Sequence, residues 1–445
     1  MLTICGIVAS VALLVGLTVK VKLHPFFALT LSSVFFGLFV GLDLNTVLDA
    51  YSSGLGGTIA GIGVVIAIGT VMGMLMEASG SAEKMAATIL RITGKRHAAL
   101  GLGVTGYFVS IPVFSDSAFV LLSPLAKRLS RDTATSMTTM AVALAMGLHA
   151  THMLVPPTPG PLAVSGIVGA DLGLVILLGM LVSIPVVAVA LVAGRFLGAR
   201  NYYQPEDVAD SLPADAKLPR AVEAFLPILV PIFLMLLRTV ALLPSHPFGE
   251  GALFGWIHSL GNTVAALLIG LSIAAFTYFR LHPHDRRMWA FDGGFGEALK
   301  TAGQIVLIVG AGGAFAAVLK LSDLQGMVER GFSGVSVGIL VPFAIGAIFR
   351  TAIGSGTVGM ITAASMLVPL LDALGLATPV GRVIAMLACA SGGFMVFHGN
   401  DDFFWVVTSS SGMKPETAYR VLPLVSVLQA FTSLGVVYIL YLTLV

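Results

Sequence analysis

Few side chains in this sequence can do chemistry, and most of those that can interrupt long apolar runs. Asp116 lies between Ser115 and Ser117 in Ile111-Pro112-Val113-Phe114-Ser115-Asp116-Ser117. Arg350 stands before Gly354-Ser355-Gly356-Thr357, and His398-Gly399-Asn400-Asp401-Asp402 breaks another run. An ionisable group at membrane depth costs ~3 kcal/mol on insertion scales, so these residues point to the handling of a ligand or a proton. A guanidinium is always charged and forks onto carboxylates, which makes Arg350 a candidate carboxylate anchor. The neighbouring Asp401 and Asp402 should not both ionise in a low-dielectric site, so one can hold a proton near neutral pH. Asp116 suits a coupling proton or substrate hydroxyls, and Ser115, Ser117, Ser355, Thr357 and Asn400 suit hydroxyl recognition. Each has a structural alternative. Arg350 can pair with Asp401 or Asp402, Asp116 can cap a helix, and both aspartates of the pair can be solvated at an interface.

A second kind of interruption is Val155-Pro156-Pro157-Thr158-Pro159-Gly160-Pro161. Proline removes a donor and clashes with the preceding turn, so no helix continues through it. The next helix N-terminus, with Thr158 beside it, then suits a carboxylate; an ordinary loop between short helices is the alternative. Glu77 is either a proton relay or an end cap or ion pair. His149 and His152 lie i, i+3 before the proline break. Two nitrogens make a poor metal site, so satisfied polar packing is the expectation.

These residues need elements to hold them. The chain has 445 residues, 57% hydrophobic and 10% charged, against about 25% charged in ordinary soluble domains. Mean hydropathy is +0.99. So much apolar surface cannot be hidden inside a soluble core. The net charge of +2 leaves no basic field for nucleic acid. Cys5 and Cys389 sit in apolar stretches, which excludes a disulfide framework or a cysteine metal site. No cofactor or metal is implied. The expectation is an all-α polytopic membrane protein, because the apolar runs are continuous rather than alternating.

At ~20 apolar residues per crossing, spans are predicted near Leu2–Val19, Pro25–Val40, Thr58–Met76, Met137–Leu154, Leu172–Gly194, Phe225–Leu243, Leu253–Phe279, Ala302–Leu319, Val383–Phe397 and Val421–Val445. The first lacks a basic n-region and is read as no cleavable signal. Ala98–Lys127 and Val335–Ala373 are apolar but interrupted, with arms too short for two crossings. They are predicted to be re-entrant helical hairpins with polar tips.

Lys and Arg concentrate on cytoplasmic loops. The basic flanks of the first hairpin, Lys84 to Arg96 and Lys127 to Arg131, open it from the cytoplasm, and Arg195 to Arg220 put a central linker inside. Loops around Asp43–Gly57, Gly169–Asp171 and Pro244–Gly251 lack Lys and Arg and are read as outside. The second hairpin then opens from outside, its flanks carrying Lys320, Arg330 and Arg382, and both termini come out external. Two inverted repeats follow, residues 1–198 and 224–445, joined by a cytoplasmic linker at 199–223. The first holds a hairpin at about 98–130 and a broken helix at about 136–168; the second, a hairpin at about 335–374 and a broken helix at about 383–412. Such repeats with discontinuous helices are the architecture of secondary transporters, with substrate at the repeat interface.

Other patterns carry no function. Gly101-Leu102-Gly103-Val104-Thr105-Gly106 matches a dinucleotide fingerprint but opens no βαβ unit, and close helix packing explains it better. Ser81-Ala82-Glu83-Lys84 lacks the companions of an acylation motif. His282-Pro283-His284-Asp285 is read as an exposed loop.

Taken together the motifs resemble the gluconate permease family, proton symporters for sugar acids and related hydroxy acids. They are Glu77-Ala78-Ser79-Gly80 with Ala82-Glu83 and Thr88; Ile111-Pro112-Val113-Phe114 with Phe119-Val120-Leu121-Leu122; Pro156-Pro157 with Pro159-Gly160-Pro161 and then Gly169-Ala170-Asp171; Arg350 with Gly354-Ser355 and Thr357-Val358; and His398, Asn400-Asp401 and Phe404-Trp405 with Gly412-Met413. The resemblance implies an ion-transporter-superfamily, elevator-like fold in a bacterial inner membrane, a homodimer, with hairpins and broken helices in a mobile domain. The sequence departs from the family's pattern where substrate is read: Ser115-Asp116 replaces a Phe-Glu pair, Thr158 a histidine, and Asp402-Phe403 a Ser-Gly.

The expected function is proton-coupled uptake of gluconate or a related small hydroxycarboxylate such as glycerate. The substrate-binding set is Ser115, Asp116, Ser117, Thr158, Arg350, Gly354, Ser355, Thr357, His398, Asn400 and Asp401; Asp116, Asp401, Asp402 and Glu77 are the proton-coupling candidates. Sodium coupling remains open, since hydroxyls and free carbonyls at broken helices also suit Na⁺, as does a serine-like hydroxy amino acid substrate. The rivals from other classes are an intramembrane enzyme, for which no nucleophile–base pairing is legible, and a channel.

Overall fold

A computed structural model describes residues 2–205, 217–242, 247–322 and 338–445. Every regular element among the described residues is helical, and seven helical stretches are long and apolar enough to cross a membrane. The first half contains α1 (Leu2–Val15), α2 (Pro25–Phe39), α3 (Leu44–Ala78), α4 (Ser81–Thr93), α5 (Ala98–Val109), α6 (Ser115–Asp132), α7 (Met137–Leu154), α8 (Pro159–Val168) and α9 (Leu172–Arg200). The second contains α10 (Ala221–Ala241), α11 (Ala252–Leu260), α12 (Thr263–Leu281), α13 (Gly294–Lys320), α14 (Leu340–Ile353), α15 (Gly356–Leu367), α16 (Pro379–Gly392), α17 (Asp402–Ser411) and α18 (Pro415–Leu444). The linker residues 206–216, the loop residues 244–246, Arg330 and the hairpin residues 335–337 lie outside the described residues.

Local chemistry sets the ends. Asp171 accepts from the Leu174 amide at 2.8 Å to start α9, and Thr378 accepts from Gly381 at 3.0 Å to start α16. Pro25, Pro159, Pro379 and Pro415 open their helices where a missing N–H costs nothing. Gly169 and Gly412 close α8 and α17 in the left-handed region.

Three sequence expectations need correction. The segment Asp43–Gly57 is not a loop: Asp43 caps Thr46 at 3.0 Å and α3 runs unbroken to Ala78. Its 35 residues span ~52 Å, well beyond the ~30 Å hydrocarbon core. Leu253–Phe279 is not one span but α11 and α12, divided at Gly261-Asn262, where the Asn262 side chain accepts from Val264 at 3.0 Å and begins a new helix. The last helix begins at Pro415 rather than Val421. Near the end of α12, Asp285 accepts from the Tyr278 hydroxyl at 2.5 Å and His282 stacks on Tyr278, so this loop holds itself together.

Packing relates the two halves. α7 is buried almost along its whole length and forms the core, while α18 leaves much of its surface outside. α3 packs along α13. α5 packs on α7 and α7 on α9; in the other half α14 packs on α16 and α16 on α18. The short helices cross over: α6 packs on α17, and α15 on α8. At ~18 Å and ~21 Å, α5 and α14 are too short to cross a membrane, and each turns back within a few residues. Gly106 and Gly147 bring α5 and α7 into backbone contact: a Cβ on Gly106 would stand 2.6 Å from the Leu148 amide nitrogen.

Candidate functional site

The turn 110–114 ends α5 and delivers Ser115 and Asp116 as the first residues of α6. Neither caps: Phe114 holds the cap position, and Asp116 Oδ1 is buried with no hydrogen-bond partner. In the other half the chain leaves α14 at Gly354, whose φ of +87° only glycine adopts without strain. A Cβ there would meet the Asn400 backbone, with its carbonyl carbon 2.7 Å away, so hairpin tip and helix break lie in direct contact. Ser355 caps α15 through the Val358 amide at 3.4 Å. The break ends at Asp401, whose Oδ1 accepts from the Phe403 amide at 2.8 Å to start α17.

These pieces enclose a cavity of about 230 Å³. Ser115 and Asp116 come from the first hairpin, Ser355 and Thr357 from the second, and Asn400, Asp401 and Asp402 from the second break. Arg350 stands behind this wall, only 1% exposed. Its guanidinium donates to the Asp401 carboxylate and to the Gly354 carbonyl, and lies 5.7 Å from the centre of the Phe397 ring. Its Nε has no partner. Asn400 adds a second tie, donating to the Thr351 carbonyl at 3.0 Å. Asp402 opens α17 and is exposed to the cavity, without an ion pair among the described residues.

Other expected residues stand apart. Thr158 is turned inward, donating to the Val155 carbonyl at 2.6 Å, and neither it nor the α8 N-terminus lines the cavity. Ser117 hydrogen-bonds Glu77 at the end of α3, next to Asp116 but outside the cavity lining. His398 is half-buried in the break and does not line it either.

Two residues read from the sequence as satisfied packing do line it. His149 and His152 project from α7, one turn apart, and His149 Nε2 and His152 Nδ1 are both buried without a partner. The His149 ring packs among Phe394, Phe397 and Phe403, with centroids 5.3–6.1 Å away. Their i, i+3 spacing before a helix break was the available signal. A neutral imidazole offers one donor and one acceptor, so two open ring nitrogens beside hydroxyls and carboxylates suit a polar solute. A cavity below the ~300 Å³ of ordinary drug-sized pockets favours a small one.

The family model described as GntP family permease matches residues 2–445. The chain is 32% identical to a gluconate permease of Pseudomonas aeruginosa over 99% of its own length and 97% of that protein. It is 34% identical to the D-serine transporter DsdX of Escherichia coli, over 91% of this chain and 90% of that one. Among solved structures, the crystal structure of the Alcanivorax borkumensis YdaH transporter, described as having an unusual topology, is similar in fold with a TM-score of 0.65, 18% identity, and coverage of 94% of this chain and 97% of that one. The chain, with its long apolar helices, is thus a membrane transporter and belongs to the GntP permease family.

Proposed function

We propose that this permease is a proton-coupled importer of gluconate or a related small hydroxycarboxylate across the bacterial inner membrane. The observation that carries the reading is the cavity in which both hairpin tips and the second break meet, with one Asp116 oxygen unpartnered, Asp401 in its wall and Arg350 paired to Asp401 behind it. Arg350 is the carboxylate anchor. In the present state its charge is committed to Asp401, so a proton on Asp401 would leave a buried guanidinium uncompensated, a costly arrangement. An incoming substrate carboxylate replaces the lost charge. Proton and substrate then bind together because each removes the cost the other creates. Ser115, Thr357, Asn400 and the two histidines read the hydroxyls. Asp116 is the second proton carrier, with Ser117 and Glu77 as its relay.

The recurrence of the same packing in both halves supports two repeats, 1–198 and 224–445, and the crossed short helices support a mobile unit made of hairpins and broken helices. Inverted orientation, elevator motion, external termini and a homodimer belong to the same reading. A serine-like hydroxy amino acid is the second substrate reading, favoured by the D-serine transporter among the relatives and by the small cavity.

The test is uptake into proteoliposomes of labelled gluconate, glycerate and D-serine, driven by an inward proton gradient without sodium. Saturable accumulation of one of them, with counterflow, supports the reading. Accumulation driven only by a sodium gradient would replace proton coupling with sodium coupling, and unsaturable flux without counterflow would indicate a channel.

A further inference from the structure

A second cavity, about 490 Å³, lies where α5 and α7 begin and α9 ends. It shares no residue with the cavity between the hairpin tips. Arg96, on the turn just before α5, and Arg195, near the end of α9, both border it. Among the described residues neither makes an ion pair and no carboxylate lines the space. Lys95 next to Arg96 is already taken by Asp132 at 3.1 Å. Thr135, Ser136 and Tyr202 add hydroxyl groups to the same wall. Two uncommitted guanidinium groups with hydroxyls match an anion with several acceptor oxygens.

His97 and Thr139 also border it, the remaining lining is Ala, Leu and Val, and Val192 belongs to a second space as well. That is a groove of about 480 Å³ between α9 and α18, bounded among the described residues by Ala, Val, Phe and Leu side chains, including Phe196, Leu424 and Leu428. Val192 is 58% exposed and Phe196 68%, so both face outward into the surroundings of a membrane protein. A free phosphate has no use for such a groove. A zwitterionic lipid would bring a cation to a pocket that holds arginines and, among the described residues, no carboxylate.

We infer that this composite site binds one anionic phospholipid, with its phosphate between Arg96 and Arg195 and an acyl chain along α9 over Val192 and Phe196. Arg91, Arg128 and Arg200 lie near the same helix ends, marking the basic, cytoplasmic face. Anionic lipid is concentrated in that leaflet, and basic pockets between helices there hold anionic headgroups.

The test is native mass spectrometry of the delipidated full chain in detergent, titrated with phosphatidylglycerol, phosphatidylcholine or inorganic phosphate. Phosphatidylglycerol should bind with defined stoichiometry and lose about thirtyfold in affinity in Arg96→Ala/Arg195→Ala. Arg96→Lys/Arg195→Lys should restore most of it, and Arg286→Ala/Arg287→Ala, in a different loop, should change nothing. Phe196→Gln, on the exposed face of α9, should also weaken phosphatidylglycerol and provides the readout if the double alanine variant does not fold. Equal retention of phosphatidylcholine, equal competition by inorganic phosphate, or undiminished phosphatidylglycerol in both the double alanine and Phe196→Gln variants would overturn the assignment. So would loss of a dimer in Phe196→Gln with lipid binding intact, which would give the groove to a second copy of the chain.

Discussion

Arg350 and Asp401 form a buried ion pair that ties the second hairpin to the helix break before α17, across 51 residues of sequence. The other Asp401 oxygen caps α17, so a single carboxylate holds a helix start and neutralises a guanidinium. Removing one partner of such a pair costs about 3–5 kcal/mol, because the remaining charge is left buried and alone. Arg350→Met is therefore expected to unfold at markedly lower temperature in detergent and to lose substrate binding. Arg350→Met/Asp401→Leu should recover much of the stability but none of the transport. A double variant no more stable than the single one would show that the pair is not the source of the cost.

The coupling scheme separates the two aspartates. Asp401→Asn imitates the protonated residue and leaves Arg350 ready for a carboxylate. It should bind substrate with little dependence on pH, where the parent protein binds more tightly as pH falls. Binding by isothermal calorimetry at pH 5.5 and 7.5 reads this directly. An unchanged pH dependence in Asp401→Asn would remove Asp401 from the coupling.

Asp116 has an unpartnered oxygen, and among the described residues no Lys or Arg lines the cavity beside it. Asp116→Asn should abolish accumulation driven by a pH step while counterflow between preloaded and external substrate continues, since exchange needs no net proton movement. Wild-type accumulation in this variant would exclude Asp116 as a carrier.

The charges of this site are legible in the sequence because Asp116, Arg350 and Asp401 stand out against apolar runs. Their partnership is not, since nothing local links Arg350 to a residue so far along the chain. His149 and His152 escape for another reason: at i, i+3 on a helix, a packed histidine and a solute-facing one look alike until the neighbours are known. The start of α3 is hidden because Asn45, Thr46, Asp49, Ser52 and Ser53 have the composition of a loop. Capping by Asp43 and packing along α13 override that composition. The division of Leu253–Phe279 is missed because hydropathy averages over the Gly261-Asn262 cap.

The histidines should divide by environment. His149 is almost fully buried among three phenylalanine rings, and His149→Ala leaves a void whose cost is about 2–5 kcal/mol in comparable cores. His152 is only half-buried, so His152→Ala should leave the unfolding temperature nearly unchanged. One hydrogen bond to substrate is worth about 1 kcal/mol net, so its affinity should fall roughly fivefold. If neither variant alters affinity, the open nitrogens face water rather than substrate.

Gly73 on α3 tests whether the first tip must be seated closely. A Cβ there would collide with the Pro112 carbonyl, in the turn that delivers Ser115 and Asp116. Backbone cannot yield as a side-chain tip can, so Gly73→Ala forces α3 and the tip apart, at about 1–3 kcal/mol. Gly61→Ala supplies the control on the same helix: nothing lies within 4 Å of that position, and alanine there should stabilise by about 0.5–1 kcal/mol. Substrate affinity per folded molecule should drop in Gly73→Ala, because Asp116 is carried away from Asp401 and Thr357, and stay unchanged in Gly61→Ala. Equal affinity in the two variants would mean that the tip tolerates displacement and that the cavity is not set by its contact with α3.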